Sequence, residues 1–438
     1  MKSTFHTCLA LFLLTTTALH AESERASAGR PNIIFIMADD LGYETIGAYG
    51  GTSYQTPHID RLAEMGARFE HCYAQPLCTP SRVKLMTGRY NVRNYRKFGI
   101  LPRNETTFAQ LFREAGYTTA IAGKWQLGKE PDAPRHFGFD EALLWQHTMG
   151  RTRENGRDSR FENPLLERNG NILDYRNGEY GPELLTDFVC DFIANNRDRP
   201  FLVYYPMLLT HCPFIPTPDS EEWDPKSMGS PTYKGDAKYF GDMVRYMDKI
   251  VGRIVDEVER QGLSENTIIF FTGDNGTDRP VVSMLNGRKV AWGKGKTTDA
   301  GTRVPLVVYG PGTVKSQVIR NLVDFSDFFP TLCDLAGIST PESLPLDGRS
   351  FLPQLNGQEG QPREHLYCWY SSSGKPEKAK IFARTHRYKL YQSGDFFDLS
   401  QDVLEEQPLL ASQLTPEQKE IRSQFQTVIE ENSKLRPE

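Results

Sequence analysis

The sequence lacks any excess of basic charge. Its 438 residues carry 51 lysines and arginines against 56 acidic side chains, a formal net charge of -5. That balance excludes a broad cationic face of the kind that holds nucleic acid or an anionic membrane, so any anion site must be local. Cysteine is scarce, at seven residues, too sparse for a disulfide scaffold. Beyond Cys8 the thiols are Cys72, Cys78, Cys190, Cys212, Cys333 and Cys368, and no pairing is assigned. No apolar run reaches the ~20 residues that span a bilayer. The nearest is Cys8 to Leu19, interrupted by threonines, preceded by Lys2 and followed by small and polar residues up to Arg30. It reads as a secretory signal over residues 1–28, cleaved after Ala18, Ala21 or Ala28. The mature chain is then expected to be periplasmic or secreted, with no membrane span. Internal repeats and low-complexity tracts are absent, which excludes solenoids and arrays.

What is present fits a loop-rich globular enzyme: 38% hydrophobic residues, 24% charged residues and 28 prolines. Asn32 to Ala38 is a continuous Ile/Phe run, the pattern of a strand buried on both faces. A helix follows from Pro57 to its stop at Gly66, and another from Thr107 to Ala115 leads into a strand from Tyr117 to Ala122. Phe201–Met207, Thr267–Thr272 and Arg303–Tyr309 read as further strands, with a long helix over 237–261 between the first two. Strands alternating with helices predict an α/β fold, a large, mostly parallel sheet sandwiched by helices. Ligands of such sheets sit beyond the carboxyl ends of the strands. Asp39-Asp40 and Asp274-Asn275 both follow strands and so fall on that edge. After Leu346 the pattern shifts to short strands near Leu366, Ile381, Tyr388 and Phe396 and a polar helix from Pro416 to Ser433. This predicts a smaller C-terminal antiparallel sheet plus helix, with a main domain over 29–345 and an α+β subdomain over 346–438.

The most informative stretch is Cys78-Thr79-Pro80-Ser81-Arg82, followed by Leu85-Met86-Thr87-Gly88-Arg89. Thr79 can cap a helix, Pro80 suits its first turn, and Arg82 lies one turn on. Position 78 thus falls at the positive end of a helix dipole, where anions bind. C-x-P-S-R with L-x-T-G-R resembles the signature of the formylglycine-dependent sulfatases, in the alkaline phosphatase-like superfamily. In that family the cysteine is oxidised by a dedicated maturation enzyme to an aldehyde whose hydrate supplies the nucleophile. Gly123-Lys124-Trp125-Gln126-Leu127-Gly128 resembles the family's G-K-W-H-L-G. Gly293-Lys294-Gly295-Lys296-Thr297, ahead of Gly301-Thr302-Arg303-Val304-Pro305, is similar to its G-K-G-x-T…G-x-R-V-P block. A phosphate-binding P-loop at Gly295-Lys296-Thr297 is excluded, because that motif needs glycine where Val290 stands.

The resemblance implies a metal set of Asp39, Asp40, Asp274 and Asn275, three carboxylates and an amide whose oxygen donors suit a hard cation, joined by Cys78 in its oxidised form, with calcium by preference and magnesium as the alternative. Asn275-Gly276-Thr277 also matches a glycosylation acceptor, which a ligand role for Asn275 excludes. A carboxylate about 4 Å from a sulfate repels it by ~1 kcal/mol in water and ~4 kcal/mol at an effective dielectric of 20. Counter-charges are therefore required, and the family match assigns them to Arg82, Lys124 and Lys294. By the same resemblance His211, in Thr210-His211-Cys212-Pro213, contacts the sulfate or protonates the leaving oxygen, so Lys124, Gln126, His211 and Lys294 line the substrate. Gln126 departs from the family's histidine and cannot take up a proton near neutral pH. The implied substrate is a sulfated small molecule or, given export, a sulfated glycan, and the segment 145–171 is expected to shape specificity. Two alternatives stand beside this reading: a phosphonate or phosphate diester hydrolase of the same superfamily, and a non-catalytic binder of sulfated glycans if Cys78 stays a thiol.

Overall fold

A computed structural model describes residues 29–437, and the signal segment lies outside them. The ten-stranded sheet comprises β1 (Asn32–Ala38), β2 (Ala67–Tyr73), β3 (Thr118–Lys124), β4 (Glu141–Trp145), β5 (Leu165–Arg168), β6 (Asn171–Asp174), β7 (Phe201–Pro206), β8 (Thr267–Gly273), β11 (Arg303–Tyr309) and β12 (Gln317–Asp324). A separate hairpin pairs β9 (Val282–Leu285) with β10 (Arg288–Ala291). The spatial order is β12-β2-β11-β8-β1-β7-β3-β4-β5-β6. Its centre, β8-β1-β7-β3-β4, is parallel, as the alternation of strands and helices predicts. Towards the flanks β11 runs antiparallel to both β8 and β2, and β5 and β6 extend the other side as antiparallel strands.

The helices are α1 (Pro57–Met65), α2 (Cys78–Thr87), α3 (Phe108–Glu114), α4 (Gly181–Asn195), α5 (Phe240–Arg260), α6 (Phe328–Leu335) and α7 (Pro416–Ser433). β1 shows why its sequence has no polar alternation. Ile33, Phe35 and Met37 point into one core with residues of α2, α3 and α6, while Ile34, Ile36 and Ala38 point into the other with residues of α1, α4 and α5. Helix α5 buries Met243, Met247, Ile250, Val251, Ile254 and Val258 along one stripe, each worth ~1.5–3 kcal/mol of apolar burial. Thr107 begins α3 with a reciprocal cap to Gln110.

The second sheet, β13 (Leu366–Tyr370), β14 (Lys380–Arg384), β15 (Tyr388–Tyr391) and β16 (Phe396–Asp398), is antiparallel throughout. It holds the loop that precedes β11: Lys389 Nζ donates to the Thr297 carbonyl at 2.6 Å, Tyr391 Oη to Thr297 Oγ1 at 2.9 Å, and buried Arg384 pairs with Asp299. No helix among the described residues is long and apolar enough to cross a membrane, and Cys72, Cys78, Cys190, Cys212, Cys333 and Cys368 are all free thiols.

Candidate functional site

β1 and β8 are parallel neighbours in register, Ala38 opposite Gly273. Residues that follow each strand therefore emerge side by side, which brings Asp39 and Asp40 against Asp274 and Asn275. The Asp40 N–H donates to Asp274 Oδ1 at 3.0 Å and Asn275 Nδ2 to Asp40 Oδ1 at 2.8 Å. All four side chains are fully buried. Cys78, the first residue of α2, is 2% exposed, and its sulfur groups with Asp39 and Asp274 at metal-ligand spacing.

Cations close the ring. Arg82 donates to Asp274 Oδ2 and to the Lys124 carbonyl, both at 2.9 Å, and lies 3.8 Å from Asp39. Lys124, the last residue of β3 rather than a residue beyond it, donates to both Asp39 oxygens at 3.0 and 2.8 Å. Lys294 donates to Asp40 Oδ2 at 2.5 Å and lies 3.0 Å from Nε2 of His211. The sequence elements for Asp39, Asp40, Cys78, Arg82, Lys124, His211, Asp274, Asn275 and Lys294 thus meet in one place.

Thr79 behaves differently from the expectation. The helix starts two residues earlier, with Leu77 as its N-cap and no side-chain cap. Freed from capping, the Thr79 hydroxyl donates to Gln126 Oε1 at 3.1 Å and accepts from the Gly99 N–H at 3.1 Å. Gln126 has φ 53° and is partly buried. Arg160, from the 145–171 segment expected to shape specificity, carries no sequence signal of its own. It is 2% exposed and reaches His211. Only the three-dimensional approach of residues 51 apart reveals it.

The donor set suits a hard cation. Asn275 Oδ1 is buried with no hydrogen-bond partner while its Nδ2 is satisfied by Asp40 and the Gly276 carbonyl, so an acceptor oxygen is left without a donor. Burial and the charge of Asp39 push the Asp274 carboxyl up to about 7, and burial likewise raises Asp40. Burial would raise Asp39 too, but Lys124, His211 and Arg82 carry it well below the usual carboxylate range. A divalent ion would relieve the crowding of these carboxylates. Burial, reinforced by Asp274 and Asp39 against the pull of Lys124, pushes the Cys78 thiol up, so the unmodified side chain is a poor nucleophile.

Backbone packing fixes Lys294 relative to Asn275. A Cβ at Gly276 would lie 1.8 Å from the Ala300 carbonyl oxygen and one at Gly293 1.5 Å from the same atom. Chain segments approach there at a distance no side chain permits.

A protein-family model for sulfatases matches residues 31–338, and one for the N-sulphoglucosamine sulphohydrolase C-terminal region matches residues 291–434. The chain is 32% identical over 415 residues to arylsulfatase A of Bos taurus, covering 86% of this chain and 78% of that one. It is 31% identical over 402 residues to N-acetylgalactosamine-6-sulfatase of Rattus norvegicus, covering 78% and 72%. Among solved structures, a complex of Ps i-CgsB with k-i-k-neocarrahexaose has TM-score 0.77 at 24% identity, covering 93% of this chain and 94% of that one. The phosphonate monoester hydrolase of Agrobacterium radiobacter shares the fold at TM-score 0.67 and 22% identity, covering 93% and 95%. With the family model matched over most of its length and relatives above 30% identity, the chain belongs to the sulfatase family and is a sulfuric ester hydrolase.

Proposed function

We propose that this enzyme hydrolyses sulfate esters of a sulfated carbohydrate outside the cytoplasm. It uses formylglycine made from Cys78 by a maturation enzyme, and one divalent cation, calcium by preference, held by residue 78, Asp39, Asp40, Asp274 and Asn275. The observation that carries this reading is the partnerless Asn275 Oδ1 among buried carboxylates around the first residue of α2. When present, formylglycine supplies a hydroxyl nucleophile and the cation supplies Lewis-acid stabilisation of the transferring sulfuryl group.

The chain's own residues do the rest. Arg82 is held by Asp274 and the Lys124 carbonyl, while its Nε is buried without a partner. It and Lys124 are therefore fixed before substrate arrives, which is the condition for electrostatic stabilisation without reorganisation. Lys294 and His211 stand together on the opposite side of Asp40 from Asn275, at Oδ2 rather than Oδ1. They are the groups placed to meet the leaving oxygen. The test is mass analysis of the peptide Phe69–Arg82 from the native host, with sulfate release measured in parallel on an aryl sulfate and an aryl phosphodiester. An aldehyde at position 78 and preference for the sulfate are expected. A thiol there would leave the glycan-binder reading, and preference for the diester would reassign the chemistry.

Gln126 stands where the family's histidine binds, so release of sulfate from residue 78 lacks that base. Gln126→His is expected to raise kcat by about a hundredfold, the low side of a positioned general base, as measured under saturating substrate. A fall in kcat would mean that the Thr79 contact to the amide is what the pocket requires.

A carbohydrate substrate is supported by the residues beside Lys294. Trp292 has Arg279 and Lys296 each 4.1 Å from its ring centre, both cations exposed, and Tyr233 lies 6.3 Å from the His211 ring with Arg151 4.2 Å from its own. Aromatic rings and cations together suit an anionic sugar chain better than a small aryl ester. Replacing Arg279 and Lys296 by glutamine is expected to raise KM for a sulfated oligosaccharide about fivefold, equivalent to ~1 kcal/mol. Neither kcat nor the KM for 4-nitrophenyl sulfate should change.

A further inference from the structure

Arg160 follows Asp158 and Ser159 in the loop between β4 and β5, and no sequence motif marks it. Its Nη1 lies 2.6 Å from Nδ1 of His211 and 2.5 Å from the Cys212 carbonyl oxygen. Asp158 faces the rest of the guanidinium, accepting from Nη2 through Oδ2 at 3.3 Å, while Oδ1 lies 3.2 Å from Nε as an ion-pair contact and not a hydrogen bond. The Trp145 ring covers one face, its centre 4.1 Å from the guanidinium carbon. Carboxylate, carbonyl and aromatic ring thus fix the plane of a fully buried cation.

A guanidinium keeps its protons at any working pH, so towards Nδ1 it is a donor and nothing else. A ring nitrogen that accepts carries no proton, and the single proton of a neutral imidazole then sits on the other nitrogen. In the opposite tautomer an Nδ1–H would reach the Cys212 carbonyl at 2.5 Å. That proton would then face the Arg160 N–H at 2.6 Å, donor against donor. Nε2 faces a donor as well, Lys294 Nζ at 3.0 Å, but that contact is the longer one and the ammonium can turn its hydrogens to Asp40, whereas the guanidinium is pinned against Nδ1 at 2.6 Å. Nε2 therefore bears the hydrogen and looks onto the site, 3.6 Å from Asp40 Oδ2. The Lys294 ammonium is also a donor, so two donors share one space beside Asp40. An oxygen arriving there would accept from both.

We propose that Arg160 is a positioning residue that holds His211 in the Nε2–H form, aimed at the oxygen that departs from sulfur. The inference rests on the sulfatase reading of the site. As the oxygen of residue 78, its hydroxyl proton already lost to solvent, bonds to sulfur, the ester S–O bond breaks and leaves its electron pair on the alcohol oxygen. Lys294 passes that oxygen a proton and becomes a neutral amine. His211 gives a hydrogen bond and keeps its proton.

The dependence on leaving group tests this. A phenol as acidic as 4-nitrophenol leaves without help, whereas a sugar alcohol needs the donor. Arg160→Met in the mature, metal-loaded enzyme is expected to lower kcat on a 6-O-sulfated N-acetylhexosamine about a hundredfold, the loss typical of one oriented donor, with KM unchanged. On 4-nitrophenyl sulfate the change should stay below about threefold. Arg160→Lys, which keeps a cationic donor, should recover part of the loss. Equal losses on both substrates, or none on the sugar, would overturn the proposal. A wild-type enzyme that releases sulfate from neither would overturn the sulfatase reading and this inference with it. Independently of how the variants fold, ring-15N histidine spectra of the wild-type protein should show His211 protonated at Nε2 and bare at Nδ1, and the reverse would also overturn it.

Discussion

Cys78→Ala is expected to reduce sulfate release to the uncatalysed background, a loss of about a million-fold, as when a nucleophile is removed from an enzyme that acts through it. The side chain is 2% exposed and packs at the start of a fully buried helix, so the exchange removes one sulfur atom from a site that has room for little else. Stability should change by no more than about 1–2 kcal/mol. Circular dichroism and a urea midpoint on the same preparation separate loss of chemistry from loss of fold. Retained turnover would show that residue 78 is not the nucleophile.

Asp274→Ala should be nearly as severe for a different reason. Asp274 accepts from the Asp40 N–H through one oxygen and from Arg82 through the other. Its removal strips one oxygen donor from the proposed cation site and also leaves Arg82, itself fully buried, without its closest carboxylate. Breaking one side of a buried ion pair costs about 3–5 kcal/mol. The expected result is turnover at background, loss of calcium binding by titration calorimetry, and a lower urea midpoint even in chelator. The last readout matters, because a residue serving the cation alone would leave the cation-free protein as stable as before. An unchanged midpoint in chelator would sink the claim that Asp274 anchors Arg82.

Much of this was legible in the residues. β1, β11 and α7 have the bounds that their patterns predict, because each is either a continuous apolar run or a capped helix with a clear stop. The meeting of Asp39-Asp40 with Asp274-Asn275 followed from a rule about strand ends, and the in-register β1–β8 pairing is its physical basis. Other elements gave no readable signal. β2 carries Arg68, Glu70 and His71 because its half-exposed positions lie near the sheet edge, between β12 and β11. β6 is almost wholly exposed, so nothing in Asn171–Asp174 distinguishes it from a turn. α4, by contrast, does carry a signal, Leu185, Phe188, Val189, Phe192 and Ile193 at helical spacing behind Pro182, which a reading led by the strands passes over. Thr79 looked like a cap because sequence cannot fix a helix start to one residue. Arg160 escaped because a lone arginine in a charged stretch looks the same whether it faces water or a histidine far along the chain.

The contact of Gly276 and Gly293 with one carbonyl oxygen sets what can be redesigned here. Asn275 and Lys294 ride on a single rigid joint, so the two cannot be adjusted separately, and any side chain added at either glycine would displace both together. Attempts to retune this enzyme towards other esters should leave that joint alone and vary its outward neighbours, Trp292 and Lys296, whose side chains can change without moving the ammonium between them.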